Sequence, residues 1–254
     1  MSDRTSLSDR MLKRAVPRPV PGFAPEPVAL GDGLFALDRR LRHFGVALLP
    51  TRTTIARLAD GALVVISPPP LADGATRRAI DALGRVAWIV APSSFHYLYA
   101  GDFARHYPDA RLVGAPGLGA RAPGLALDAE LVAPPAAWSG VLDTALLRAP
   151  RGVAEVLFFH APSRALVLTD LAFHVTHYPR ALDRLVWRLS GIPRGFGPGR
   201  TTRGLLLGDR AAAREALRRA LAWPFERIVV AHGEVLEHGA RAAFERAFAA
   251  WLED

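Results

Sequence analysis

The sequence predicts an α/β protein of layered design, one domain in which two sheets pack together and helices cover their outer faces. Three observations predict it. Short apolar runs rich in β-branched residues occur in both halves of the chain, segments of helical period lie between and after them, and no linker separates the halves. A chain of 254 residues is long enough to bury roughly 70–75% of its unfolded surface.

The elements follow in order. Residues 53–58 (TTIARL) and 62–67 (ALVVIS) flank Asp60-Gly61, a hairpin signal. The spacing of Ala79, Ile80 and Leu83 predicts a helix over 73–83, followed by a strand from Ala87 to Ala91 that Pro92 breaks. Gly101–His106 reads as one or two helical turns and Arg111–Gly114 as a strand. Residues 115–140, rich in Pro, Gly and Ala, read as a connection of little regular structure. Strands follow over 142–148, 154–160 and 165–169. The spacing of Leu182, Leu185, Val186 and Leu189 predicts a helix over 181–190, read as an ordinary packed helix with a solvated face. Asp209 caps a helix over 210–222, strand 227–231 leads to His232-Gly233, and a helix over 238–252 buries Phe244 and Phe248.

Composition excludes several classes. The chain has no cysteine, so a disulfide scaffold, a thiolate zinc site and a cysteine nucleophile are ruled out. No apolar run approaches the roughly 20 residues that cross a bilayer, and the first residues lack the apolar stretch of a secretory signal. Residues 1–25 read as a mobile basic leader, 26–254 as the domain, and the cytoplasm as the expected compartment. Of the net charge of +8, residues 180–219 alone carry +7 through ten arginines against Asp183, Asp209 and Glu215. Such a cluster attracts anionic groups. Aromatic residues are not interleaved with it beyond Trp187 and Phe196, which argues against nucleic acid.

Familiar motifs fail. Gly117-Leu118-Gly119-Ala120-Arg121-Ala122 has the letters of a dinucleotide fingerprint, but Pro123 blocks the helix that would bind a pyrophosphate. A P-loop, a Gly-x-Ser-x-Gly elbow and a His-Glu-x-x-His helix are all missing from the sequence. The surviving constellation sits at strand ends: His96, Glu155, Asp170 and His232. With 161–164 as a hairpin loop, His160 faces Ala165 and Glu155 faces Asp170. Two adjacent carboxylates need a cation, an arginine or a shared proton between them. The same register sends His160 to the far end of the hairpin.

Three segments, IVAPSSFHYLYAGDFARHYPDARLVGAPG (89–117), VLFFHAPSRALVLTDL (156–171) and RIVVAHGEVL (227–236), resemble the metallo-β-lactamase superfamily over residues 33–252. Pro50-Thr51-Arg52, Arg57-Leu58-Ala59-Asp60-Gly61 and Ile66-Ser67-Pro68 resemble an uncharacterised branch of it. The resemblance implies an αββα sandwich with a metal site at one edge of the paired sheets. The family's His-x-His-x-Asp-His hallmark falls on Ser93, Phe95, Tyr97 and Leu98, and a later histidine falls near Arg151, so most of the usual ligands are replaced. The bridging aspartate and final histidine survive as Asp170 and His232.

The expected site is therefore a single divalent ion (zinc, iron or manganese) or none. Its expected ligands are His96, Asp170 and His232, with Glu155 or His174 as a further one. Asp170 and His232 are the candidate catalytic residues, and Arg180, Arg184 and Tyr97 the candidates for binding a small anionic substrate. Three functions follow as alternatives: an atypical hydrolase, a non-catalytic relative that binds a ligand, and a protein that binds anionic surfaces through a basic amphipathic helix at 180–189.

Overall fold

The structure, a computed structural model, describes residues 18–19, 26–43, 46–71 and 74–253. Most of the expected leader lies outside these residues. Arg18–Pro19 form a two-residue strand, β1, paired with Arg42 and Leu41. In order follow β2 (Val28–Gly31), β3 (Leu34–His43), β4 (Ala47–Arg57), β5 (Leu63–Ile66), α1 (Gly74–Asp81), β6 (Val86–Ala91), α2 (Ala100–His106), β7 (Arg111–Gly114), α3 (Leu118–Arg121) and β8 (Ala129–Glu130). The second half contributes β9 (Leu142–Ala149), β10 (Val153–His160), β11 (Ala165–Leu168), α4 (Ala181–Leu189), α5 (Arg200–Leu205), α6 (Arg210–Leu221), β12 (Arg227–Val230) and α7 (Ala240–Leu252).

Eight strands make the first sheet, in the order β1-β3-β4-β5-β6-β7-β8 with β2 on β3, and four make the second, β12-β11-β10-β9. Strand alternation sends one row of side chains to each face. Val64, Ile66, Trp88 and Val90 of the first sheet meet Val156, Phe158, Val167 and Val229 of the second in the layer between them. Outside the first sheet, Ile55, Val65 and Ile89 pack on Ile80 of α1 and Phe103 of α2. Outside the second, Leu157, Leu166 and Ile228 pack on Leu217 of α6 and on Phe244 and Phe248 of α7. This is the expected αββα sandwich.

The 161–164 hairpin has the expected register, with His160 opposite Ala165 and Phe158 opposite Val167. His160 is fully buried there, its Nδ1 sharing a hydrogen bond with the Ser163 hydroxyl at 2.7 Å. Burial lowers its pKa to about 4. The unfolded chain therefore takes up a proton at about 6.5 and the folded one only near 4, so His160 favours the folded state above pH 6.5 and loses that contribution as pH falls toward 4. In His160→Gln, the urea midpoint should depend less steeply on pH across that window than in wild type.

Two features differ from expectation. β3 is a ten-residue strand that the sequence did not suggest, because LFALDRRLRH mixes charge with apolar residues. Helix α4 does not pack on its leucines as an ordinary packed helix would, and of the four apolar positions only Val186 packs against the core. Asp183 and Trp187 face inward, where the Leu48 N–H donates to Asp183 Oδ1 at 2.9 Å and Trp187 Nε1 donates to Leu48 O at 2.7 Å. Leu182, Leu185 and Leu189 are exposed instead. Two polar anchors on one strand outweigh the apolar stripe. Among the described residues, no helix is long and apolar enough to cross a membrane.

Candidate metal centre

The centre forms where loops from both sheets meet. Pro92 ends β6, and the next loop folds over the buried Ser93, whose Oγ accepts the N–H groups of Phe95 and His96 at 3.2 and 3.1 Å. This turn aims His96 at the sheet edge. From the second sheet, Asp170 follows β11. The buried Glu155 accepts the N–H groups of Thr169 and Asp170 at 2.8 and 3.0 Å, and Ser93 Oγ donates to Asp170 Oδ2 at 2.7 Å. His232 follows β12 and lies flat against Phe173, ring centroids 5.2 Å apart. Its Nδ1–H donates to Pro50 O at 2.9 Å across the sheets, and the Arg52 N–H donates to Ala231 O at 2.7 Å beside it. Gly233 follows with φ 116° and a backbone pressed against that of His174.

The three side chains converge. His96 Nε2 lies 3.0 Å from His232 Nε2, and Asp170 Oδ1 lies 3.4 and 3.7 Å from them. A point equidistant from three atoms so spaced lies about 2 Å from each, the length of zinc–nitrogen and zinc–oxygen bonds. A carbonyl only accepts, so the bond to Pro50 fixes the His232 tautomer with its Nε2 lone pair facing the centre. His96 Nδ1 is 2.6 Å from Ser67 Oγ. The two Nε2 atoms at 3.0 Å are compatible with a hydrogen bond from His96 Nε2–H to His232 Nε2 or with a metal between two lone pairs.

The electrostatics agree. Burial alone would raise the Asp170 carboxyl, but the two imidazoles outweigh it and hold the group well below the usual carboxylate range. Burial alone would lower His96, but the Asp170 carboxylate outweighs it and raises it. Glu155, buried beside Asp170, is pushed up to about 8. Two imidazoles and one carboxylate form a donor set suited to zinc or iron(II).

A family profile described as Domain of unknown function (DUF4336) matches residues 32–190. The chain belongs to this family. No curated protein sequence matches the DUF4336 chain. Its fold is that of the metallo-β-lactamases. The metallo-β-lactamase from Pontibacter korlensis is 11% identical with a TM-score of 0.60, covering 91% of this chain and 100% of that one. The FIM-1 metallo-β-lactamase from Pseudomonas aeruginosa in its mono-zinc form is 12% identical, TM-score 0.59, covering 91% and 98%. A diflavin flavoprotein fragment from Nostoc sp. PCC 7120 is 12% identical, TM-score 0.61, covering 90% and 95%. At such identities the likeness establishes the fold alone.

Within the DUF4336 chain, His96, Asp170 and His232 come together although 62 and 136 positions separate them from His232. Glu155 stands behind Asp170 and is spent on backbone N–H groups, and His174 Nδ1 donates to Glu234 O at 3.0 Å, so neither joins the three-donor cluster. Tyr97 lines a cavity of about 320 Å³ that opens on the three donors. Arg180 and Arg184 line neither this cavity nor its neighbour of about 360 Å³. Arg180 is instead bound to Asp183 and to Val46 O. Of the hallmark positions, Ser93 holds Asp170, Phe95 packs under the Arg121 guanidinium, Leu98 is exposed and Arg151 sits on an exposed turn.

Sequence reading missed Ser67, Arg39, Thr51 and His43, all lining the cavity that holds the three donors. Ser67 carries a signal in hindsight: a lone hydroxyl ending a four-residue buried strand, with φ 56°. Ser67→Ala should leave the fold intact and weaken metal affinity about 10–100-fold, the usual cost of removing a group that orients a ligand imidazole, as read by chelator competition.

Proposed function

We propose that this chain is a metal-dependent hydrolase holding one divalent ion on His96 Nε2, Asp170 Oδ1 and His232 Nε2, and acting on a small anionic ester, lactone or phosphoester. The convergence of three donor atoms around a point about 2 Å from each carries this reading. A bound ion supplies Lewis-acid polarisation of a carbonyl or phosphoryl oxygen. The chain's own residues do the rest. Ser93 and Glu155 hold Asp170, Ser67 and Pro50 set the two imidazoles, and Leu41 and Phe95 keep the cavity walls apolar. Tyr97, which lines the cavity, would contact substrate in this reading.

Metal analysis of protein purified without chelator tests the reading. About one zinc, iron or manganese per chain is expected, with hydrolysis of an ester, lactone or phosphoester panel that EDTA abolishes. Metal-free protein whose melting temperature is unmoved by added zinc, iron(II) or manganese would overturn it.

The outward leucines of α4 support a second reading, association with an anionic surface through Leu182, Leu185 and Leu189 beside Arg184 and Arg188. Sedimentation with phosphatidylserine vesicles that Leu185→Glu does not reduce would count against it.

A further inference from the structure

β3 and β4 pair so that Arg39 lies opposite Thr51, and both residues line the cavity that holds the three donors. Arg39 is only 7% exposed. One of its nitrogens, Nη2, donates to Thr53 Oγ1 at 3.0 Å, while its Nε has no acceptor. Thr51 Oγ1, equally buried, has no partner either. Among the described residues Arg39 forms no ion pair. Its neighbour Asp38 is engaged by Arg52, Nε to Oδ1 at 2.6 Å and Nη2 to Oδ2 at 2.7 Å. Asp170, the one carboxylate lining the cavity among the described residues, is held by Ser93 and the two histidines.

A buried cation with no ion-pair partner is costly, and native proteins pair such groups or give them a ligand. Burial lowers this guanidinium to about 10, so it stays charged at neutral pH. Arg39 and Thr51 are cross-strand partners that line one cavity, each with an unpartnered polar atom, and a guanidinium is the side chain best suited to carboxylate or phosphate oxygens. The same guanidinium is wired to the metal centre: Thr53 Oγ1, which accepts from Arg39, donates to Ser67 O at 2.5 Å, and Ser67 Oγ meets His96. A group seated on Arg39 is thus within one small molecule's length of the three donors.

We propose that Arg39 and Thr51 form an oxyanion subsite that seats a carboxylate or phosphate of the substrate while its scissile bond faces the metal centre. The inference rests on the hydrolase reading for its orientation of substrate, but anion binding itself does not require the metal.

Titration of the full chain with inorganic phosphate and, separately, acetate, followed by calorimetry and melting temperature, tests it. Wild type should bind at least one of the two, and the tighter one identifies the group. Arg39→Met should fold with a melting temperature equal to or above wild type, because an unpaired charge is replaced by an apolar chain of similar length, yet bind the anion at least tenfold more weakly. Asp170→Asn should keep its anion binding while losing metal. Thr51→Val, which leaves the charge in place, should weaken binding severalfold and serves as the deciding variant if Arg39→Met fails to fold. The proposal is overturned if wild type binds neither anion, if Arg39→Met or, in its place, Thr51→Val binds like wild type, or if Asp170→Asn abolishes anion binding. A wild type whose melting temperature is unmoved by added zinc, iron(II) or manganese, yet which binds the anion through Arg39, would remove the hydrolase reading and leave the subsite standing.

Discussion

Asp170→Asn is expected to reduce metal content from about one ion per chain to a small fraction, because a ligand itself is lost and not merely a group that orients one. The side chain keeps its volume and can still accept from Ser93 Oγ, so the turn after β11 should survive. What disappears is the negative donor that the two imidazoles face at 3.4 and 3.7 Å. At metal concentrations near a thousand times Kd, wild type gains about 4 kcal/mol from the ion. The variant forfeits it, so its melting temperature should fall by roughly 8–16 °C relative to metal-loaded wild type and match that of wild type in EDTA. A variant that retains a full complement of metal would exclude Asp170 as a ligand.

Gly233→Ala is expected to cost about 4 kcal/mol or more, again roughly 8–16 °C in melting temperature, with or without metal. A Cβ at this position would sit 2.1 Å from His174 O and 2.3 Å from its carbonyl carbon, at a φ of 116° that suits glycine. Those backbones cannot part cheaply, because the His174 N–H donates to His232 O at 3.0 Å and the Glu234 N–H to His174 O at 2.8 Å. The substitution should also displace His232, so metal affinity drops with stability. Differential scanning calorimetry in EDTA separates the two effects, and a variant as stable as wild type there would refute the close-approach argument.

The layered fold was legible because its strands are short β-branched runs closed by glycine or proline: Asp60-Gly61 after β4, Pro92 after β6, Gly233 beyond β12. Asp170, His232 and His96 were legible for the same reason, as polar residues where such runs stop. Arg39 and His43 were not. They belong to a strand whose other face pairs Asp38 with Arg52 across β4, so charge occurs on both faces and the alternation is invisible. The α4 stripe misled because periodicity reports amphipathicity and not direction. Asp183 and Trp187 choose the buried side through two bonds to Leu48, a partner 135 and 139 positions away. Glu155 was placed correctly beside Asp170, yet its task is to fix backbone, which residue type alone does not reveal.

The donors are contributed unevenly: His96 by a loop of the large sheet, Asp170 and His232 by the small one. All three donors meet only once the two layers have docked. An ion lodged there would act as a rivet through the sandwich, so that loading should slow the separation of the layers while leaving the opening of each layer's peripheral helices almost untouched.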